Sequence, residues 1–407
     1  MLIIKELEKL SNFLLKNNQL RESKIFPINC IDERDFNSNR LLNTISYYEK
    51  NDSVQGLSIR NADLVIFPEF ISRLHNINQL YLTGNQFTTL PDFITNLTNL
   101  EILDLKNNQL KFLPKNFGYL SNLKELWLRG NSLENLSETF HQLISLQILD
   151  LGQNNFKALP DRIGELKNLT KLYLDNKMLT IITESIGDLT KLKILDLGHC
   201  NLSILPQSRG NLKNLIFLYI SDNKLTSKAL PQSIWNLNSL EYLNITDNQL
   251  TDLPEDIGKL TNLIEFRLYN NQIKKLPESI GKLQKLVELY LMNNMLTGLP
   301  VSVGNLVKLK KMSLEGNKLK SLNENIKNLS NLEILNLRNN SLFSLPESIS
   351  DLESLVELDL RASNLVSLPK SMINLKNLEK LDLRWNPIRF IPEWIEELRT
   401  NGCLVYE

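Results

Sequence analysis

Apolar residues recur along this chain at a fixed beat. In the stretch that opens at Leu100, the apolar positions that recur from unit to unit are Leu103, Leu105, Leu110 and Leu113, followed by Pro114. The same frame, L-x-x-L-x-L-x-x-N-x-L-x-x-L-P-x-x-I-G-x-L-x-N, begins at Val54, Ile77, Leu100, Leu123, Leu146, Leu169, Leu192 and Leu215. It begins again at Leu240, Leu263, Leu286, Leu309, Leu332, Leu355 and Leu378. That makes 15 units, stepped by 23 residues everywhere except the 25 between Leu215 and Leu240. Positions within a unit are numbered below from its first apolar residue. A period of this length marks a stack of small units that share one continuous core, rather than a set of globular domains.

Each position has a physical reason. Positions four and six, as in Leu103 and Leu105, lie two apart and point to one side of a short strand; positions three, five and seven point to the other. Position nine is asparagine at residues 85, 108, 131, 154, 223, 248, 271, 294, 317, 340 and 386. Its amide both donates and accepts, so a stack of these side chains can satisfy turn backbone where the chain leaves the strand. Apolar residues three apart after Leu-Pro, such as Ile280, Leu283 and Leu286, predict one or two helical turns on the outer side. The proline sits where a missing N–H costs little. Strands about 4.8 Å apart inside, opposite bulkier turns outside, predict a curved stack with a parallel sheet on its concave face, on the order of 70 Å long.

The repeat resembles the leucine-rich-repeat family, in particular the 23-residue L-P-x-x-I-G-x-L class found in the plant Ras-group repeat proteins, Scribble-type scaffolds and ROCO-type proteins. The resemblance covers residues 54–398. It implies an α/β solenoid, a curved horseshoe with short helical turns on its convex side. In function it implies a protein-interaction scaffold, often in small-GTPase signalling, and leaves the partner open.

The ends are expected to close the stack. Residues 1–53 are assigned as an N-terminal cap: an amphipathic helix within 1–20, then a hairpin from Thr44 to Ile59 that feeds the first repeat strand. Residues 54–398 hold the fifteen repeats, and 399–407 end a C-terminal cap. There Pro392–Arg399 reads as a helix, Gly402 stops it, and Leu404–Tyr406 adds an edge strand.

Composition narrows the partner. Lysine plus arginine and aspartate plus glutamate number 46 each. That balance removes the charge argument for nucleic acid from the chain as a whole, though not from local patches, and the acidic middle argues against a continuous basic stripe. No stretch approaches the roughly 18 apolar residues of a membrane helix, so no membrane insertion is expected. Cys30, Cys200 and Cys403 form neither a disulfide framework nor a zinc spacing, which points to a reducing, cytoplasmic setting. Asn-Leu-Thr triplets such as Asn168–Thr170 follow from the repeat itself. No phosphate loop, metal motif or catalytic trio occurs: Gly258-Lys259 and Gly281-Lys282 lack the rest of a P-loop, and His75, His141 and His199 fall at different positions of separate units. The chain is therefore read as a non-enzyme with no cofactor and no metal, and as a monomer.

Position five of each unit reads Ser58, Tyr81, Asp104, Trp127, Asp150, Tyr173, Asp196, Tyr219, Asn244, Arg267, Tyr290, Ser313, Asn336, Asp359 and Asp382. From Tyr81 to Tyr219 aromatic and acidic residues alternate, with Ile102, Ile148 and Ile194 accompanying the aspartates. Duplication of a two-unit block of 46 residues explains that alternation. It does not explain a central concentration of aromatics. The candidate protein-binding patch on the concave face is Trp127, Tyr173, Asp196, His199, Phe217, Tyr219, Asp222, Tyr242, Arg267, Tyr269, Tyr290 and Met292, because exposed aromatics and an arginine rimmed by charge make interface centres. A secondary basic ladder is Arg338, Arg361 and Arg384, ending at Trp385; self-neutralisation by Asp359 and Asp382 and recognition of an acidic segment are both open. The frame breaks between 169 and 232: Lys177 and Cys200 replace position-nine asparagines, Ile182-Thr183 replaces Leu-Pro, and Arg209 stands where an inward isoleucine is expected. The expected function is a cytoplasmic adaptor that docks a protein, with a small GTPase or its regulator as one candidate. The alternative is a ligand-sensing module for a peptide or glycan.

Overall fold

The computed structural model describes residues 28–31, 33, 36 and 45–407. The helix expected within 1–20 and the side chain of Arg209 lie outside the described residues. The chain divides into two compact units, residues 1–201 and 202–407.

In the first unit, strand Ile28–Cys30 runs parallel to Ile45–Lys50, which turns back antiparallel into Ser53–Ile59. The turn residues Asn51 and Asp52 both hold φ near +55°, which their short polar side chains tolerate. Then come three-residue strands one repeat apart: Gln79–Tyr81, Ile102–Asp104, Glu125–Trp127, Ile148–Asp150, Lys171–Tyr173 and Ile194–Asp196. Each pairs parallel with the next in unshifted register, Leu103 with Leu126 and Leu126 with Leu149. The second unit repeats the design from Phe217–Tyr219 through Tyr242–Asn244, Glu265–Arg267, Glu288–Tyr290, Lys311–Ser313, Ile334–Asn336, Glu357–Asp359 and Lys380–Asp382. Helix Ile395–Thr400 follows, Gly402 at φ 97° ends it, and strand Leu404–Tyr406 pairs parallel with Lys380–Asp382.

Strand alternation works as the apolar spacing demands. Leu103 and Leu105 are completely buried, and so are their counterparts Leu289 and Leu291. A buried leucine contributes about 2 kcal/mol. The stack therefore draws its stability from many equivalent small terms.

The outer turns are 3-10 helices, most of them five residues long, such as Asp92–Asn96 and Glu278–Lys282. The proline before each, Pro91 or Pro277, takes φ near −70° and accepts from the N–H three residues on. At two of the turns that lack the proline, a side chain substitutes. Thr183 Oγ1 accepts from Ser185 N–H, and Asn323 Oδ1 from Asn325 N–H. Both are helix-capping bonds, so the Leu-Pro break at 182–183 leaves the turn intact. Successive turns pack closely at their glycines. A Cβ on Gly281 would lie 2.4 Å from the backbone oxygen of Ser302, which is why this position is glycine. Among the described residues no helix is long and apolar enough to cross a membrane.

Candidate protein-interaction surface

The asparagine ladder fixes where each chain segment leaves its strand. Asn294 is typical: its Oδ1 accepts from Ile273 N–H at 3.0 Å, and its Nδ2 lies 3.0 Å from Leu268 O and 3.1 Å from Leu291 O. One amide thus ties its own unit to the preceding unit. Position nine departs from asparagine at Ala62, Lys177, Cys200 and Ser363, and Ser363 keeps the rung by donating its hydroxyl to Leu337 O at 2.8 Å. Lys177 turns out to solvent, and Asn176 beside it is buried instead, its Oδ1 accepting from Met178 N–H. The Cys200 thiol takes the next rung, reaching Leu174 O at 3.3 Å, while Asn176 N–H points at its sulfur.

A second ladder runs along the other end of the units, at position 23. Nδ2 of Asn99, Asn122, Asn168, Asn262, Asn331 and Asn377 each donates to a carbonyl 24 residues earlier, at 2.6 to 2.9 Å. The asparagine of the Asn168–Thr170 triplet is one rung of this ladder.

Position eight lies just past the strand and adopts the left-handed region in nearly every unit, as at Asn107, His199, Asp222, Asp247, Asn270, Asn293 and Gly316. Asn, Asp and Gly suit that conformation. Ala362 and Trp385 do not, yet they hold φ of 50° and 62°.

Position five does two jobs. Where it is Asp or Asn, the side chain turns back to cap the N–H two residues on. Asp104, Asp150, Asp196, Asn244, Asn336, Asp359 and Asp382 accept in this way from Lys106, Gly152, Gly198, Thr246, Arg338, Arg361 and Arg384 at 2.9 to 3.3 Å. These are Asx-type turns. The acidic beat is therefore structural as well as a surface charge.

In the first unit, large residues of alternate strands close over short ones between them. Trp127 and Tyr173 stack across the intervening strand, with ring centroids 6.4 Å apart and planes 21° apart. Beside them Arg129 forms a bidentate pair with Asp175, Nη1 to Oδ1 at 2.6 Å and Nη2 to Oδ2, across Gly152. A Cβ on Gly152 would meet both partners, Asp175 Oδ1 at 2.2 Å and Arg129 Nη1 at 2.5 Å. Asp150 is sealed beneath, 5% exposed, and Arg129 stands 3.7 Å from it. Burial pushes the carboxyl of Asp150 up, against the pull of the Gly152 N–H and Arg129. Burial raises Asp196 likewise, with Asp175 adding to it. Lys106 lies over the other side of Trp127, 4.7 Å from its ring. The two-unit beat from Tyr81 to Tyr219 thus has a packing reason beside any duplication: a large side chain needs a short neighbour to cover.

In the second unit the aromatics form a continuous run. Phe217 and Tyr242 have centroids 6.1 Å apart, Tyr219 and Tyr242 4.8 Å. The Arg267 guanidinium lies 5.4 Å from the rings of both Tyr242 and Tyr290. Its Nε is held by Glu265 at 2.5 Å. The Tyr290 hydroxyl donates to Glu288 at 2.6 Å, and Lys311 pairs with the same carboxylate. Burial pushes the Tyr242 hydroxyl up to about 12, against the pull of Arg267. Position-eight side chains form a polar rail along one border: Asn293 Nδ2 donates to Asn270 Oδ1, and Asn270 Nδ2 to Asp247 Oδ1. Tyr269 and Met292 are half-buried beside that rail, and Asp222 is exposed.

The structure thus brings Phe217, Tyr219, Tyr242, Arg267 and Tyr290 into one cluster. Trp127 and Tyr173 pair in the first unit, where Asp196 caps its own turn and His199 is exposed at position eight. The charged partners that hold these rings (Glu125, which accepts from the Trp127 indole N–H, with Glu265, Glu288 and Lys311) were not singled out by the aromatic count; their signal is a charge at position three next to an aromatic. Among the described residues no group of histidine, cysteine and carboxylates is arranged to hold a metal ion.

A leucine-rich-repeat model matches in overlapping stretches from residue 75 to 250, and a leucine-rich-repeat-region model matches 221–324 and 301–401. The chain belongs to the leucine-rich-repeat family. Its solenoid is similar to a leucine-rich-repeat protein of Leptospira interrogans, at 36% identity over 87% of this chain and 90% of that one, with a TM-score of 0.80. It is also similar to a plant peptide hormone receptor solved with its hormone, at 26% identity, covering 89% of this chain and 62% of the receptor chain, with a TM-score of 0.68. The Arabidopsis thaliana receptor-kinase ectodomain GASSHO1 matches at 27% identity over 89% of this chain and 49% of that one, with a TM-score of 0.62. The chain thus spans about half to two thirds of the plant receptor chains it matches. No curated protein matches the sequence. Leucine-rich repeats are generally protein-binding modules, and no enzyme family is indicated for this one.

Proposed function

We propose that this leucine-rich-repeat chain is an adaptor that docks a folded protein partner on the strand face of its second unit, in a reducing, cytoplasmic setting. The observation that carries the reading is the run Phe217–Tyr242–Tyr219 with Arg267 bridging Tyr242 and Tyr290. Its rings are braced before any partner arrives, so binding costs little side-chain ordering. Aromatics and arginine are the residue types that dominate interface energies. The Cys200 thiol serving as a ladder rung supports the setting. A Ras-like GTPase, the partner class that the sequence resemblance suggests, is the first to assay.

The test is capture from the protein's own cell lysate by wild type and by a Phe217→Ala/Tyr219→Ala/Tyr242→Ala variant that matches it in circular dichroism and melting. A protein retained by wild type and lost by the variant supports the patch as the docking site. Equal retention by both removes it. A second reading, a sensor of peptides, is favoured by the similarity to a plant receptor solved with a peptide hormone. It predicts that the retained species is a short peptide, visible when the eluate is analysed without digestion.

A further inference from the structure

The last three repeats hold a second cluster, which begins two strands beyond Tyr290's own. Arg338, Arg361 and Arg384 occupy position seven of successive units, and each is fixed by a carboxylate. Arg361 Nη2 lies 2.5 Å from Asp359, and its Nε lies 3.3 Å from Asp382. Arg384 Nη2 pairs with Asp382 at 2.6 Å. Arg338 Nε stands 3.6 Å from Glu315, an ion-pair separation longer than a hydrogen bond. Three cations and three anions cancel in number but not in depth. The Asp382 side chain is 2% exposed, whereas those of Arg361 and Arg384 are 24% and 39% exposed. The buried carboxylate holds the guanidiniums, and the guanidiniums face the solvent.

Trp385 stands among them, with the guanidiniums of Arg338 and Arg384 at 6.0 and 5.9 Å from its ring. It is 68% exposed and sits in the left-handed region, where the equivalent positions of the five preceding units carry Asn270, Asn293, Gly316, Asn339 and Ala362. A bulky residue is disfavoured there, and an exposed indole recovers little of the cost by burial. Arg384 also lies 5.1 Å from the ring of Tyr406, which shares a strand face with Leu404, 62% exposed. Outward guanidiniums beside an exposed apolar group at a strained position define a chemistry. Carboxylates would take the remaining guanidinium hydrogens, and an apolar side chain would cover the indole.

We propose that Arg338, Arg361, Arg384, Trp385 and Tyr406 form a second docking site, one that takes an acidic segment of a protein partner with an apolar residue among its carboxylates. The site does not depend on the aromatic run.

The test uses the full chain and a fluorescein-labelled octapeptide of glutamates interrupted by two leucines, followed by anisotropy. A lysine-for-glutamate peptide and a single-stranded oligothymidine of matched charge serve as competitors. Three variants are compared with wild type. Trp385→Asn keeps the left-handed backbone comfortable, so it should melt at or above the wild-type temperature and any loss of binding is not unfolding. Arg338→Gln removes the one arginine that does not neutralise buried Asp382. The Phe217/Tyr219/Tyr242 triple-alanine variant probes independence. Expected are saturable binding of the acidic peptide that weakens with salt, about tenfold losses in Trp385→Asn and in Arg338→Gln, and no change in the triple variant. The proposal is overturned if wild type does not bind, if the lysine peptide binds as well, or if Trp385→Asn binds normally. It is also overturned if the triple variant abolishes binding, which would move the peptide to the aromatic run, or if oligothymidine binds more tightly with the same variant dependence, which would mark a nucleic-acid site.

Discussion

At the residue scale, one amide does the work of several groups. Removing Asn294 to alanine strands the buried N–H of Ile273, while the carbonyls of Leu268 and Leu291 lose one donor each and keep another, from Asn271 and Asn317. An unsatisfied buried group costs about 1–3 kcal/mol, so Asn294→Ala should destabilise by about 2 kcal/mol, read as a lower denaturant midpoint. Trp385→Asn should act in the opposite direction. Relief of the left-handed tryptophan predicts a gain of about 1 kcal/mol, and a fall in melting temperature would contradict the strain argument. The position-nine ladder was fully legible in the sequence, because its donor and acceptor demand recurs at one spacing. The local arrangement at 176–177 was not. Lys177 occupies the ladder position by count, and only backbone geometry shows that Asn176 turns in one residue early. The rung at Cys200 could be placed from the count, but its sulfur hydrogen bonds could not.

At the element scale, the strands and outer turns follow from the apolar beat, while the contacts across the strand face follow from side-chain size. Sequence alternation of aromatic and acidic residues was visible. That Trp127 reaches Tyr173 over Asp150, and that Arg129 reaches Asp175 over Gly152, was not, because each pairing skips one whole repeat. The aspartates were read as surface charge near a patch. In the structure they are turn caps, since a carboxylate two residues before a free N–H can fold back onto it. Gly152 tests the bridging account. Gly152→Ala places a methyl group between Arg129 and Asp175 and should cost about 1–2 kcal/mol, the range for overpacking a tight contact. In an Asp175→Asn background the bridge is already weakened, so the same change should cost less. A double-mutant cycle measures this coupling, and strict additivity would show that Gly152 matters only for its backbone.

At the scale of the whole molecule, the two compact units differ in the charge they bury, and this predicts opposite responses to acid. In residues 1–201 burial raises Asp150 and Asp196 above the ordinary carboxylate value. In 202–407 burial alone would also raise Asp382, but the hydrogen bonds from Arg384 and the charge of Arg361 hold it low. Burial would raise Glu288 too, and the Tyr290 hydroxyl and Lys311 outweigh it. Stability changes with pH according to the difference in protons bound by the unfolded and native states. For Asp150 and Asp196 the native state binds protons more readily than the unfolded chain, whose aspartates titrate at about 3.9. Between that value and the raised native ones, the first unit therefore gains stability as pH falls. For Asp382 and Glu288 the sign reverses. Their contribution is present above the unfolded value and is lost as pH drops through the lower native one. The exposed pair Arg162–Glu165 in the first unit has the sign of Asp382, but solvent screens it. Hydrogen exchange on the full chain, corrected for intrinsic rates, separates the two. Peptides around Asp150 and Asp196 should gain protection between pH 7 and pH 4.5, while those around Glu288 and Asp382 hold steady. At pH 3.5 the second set should lose protection. Parallel loss in both sets from pH 7 downward would mean that the carboxylates beneath Trp127 and Tyr173 are ionised and paired in the native state, with Arg129 outweighing their burial.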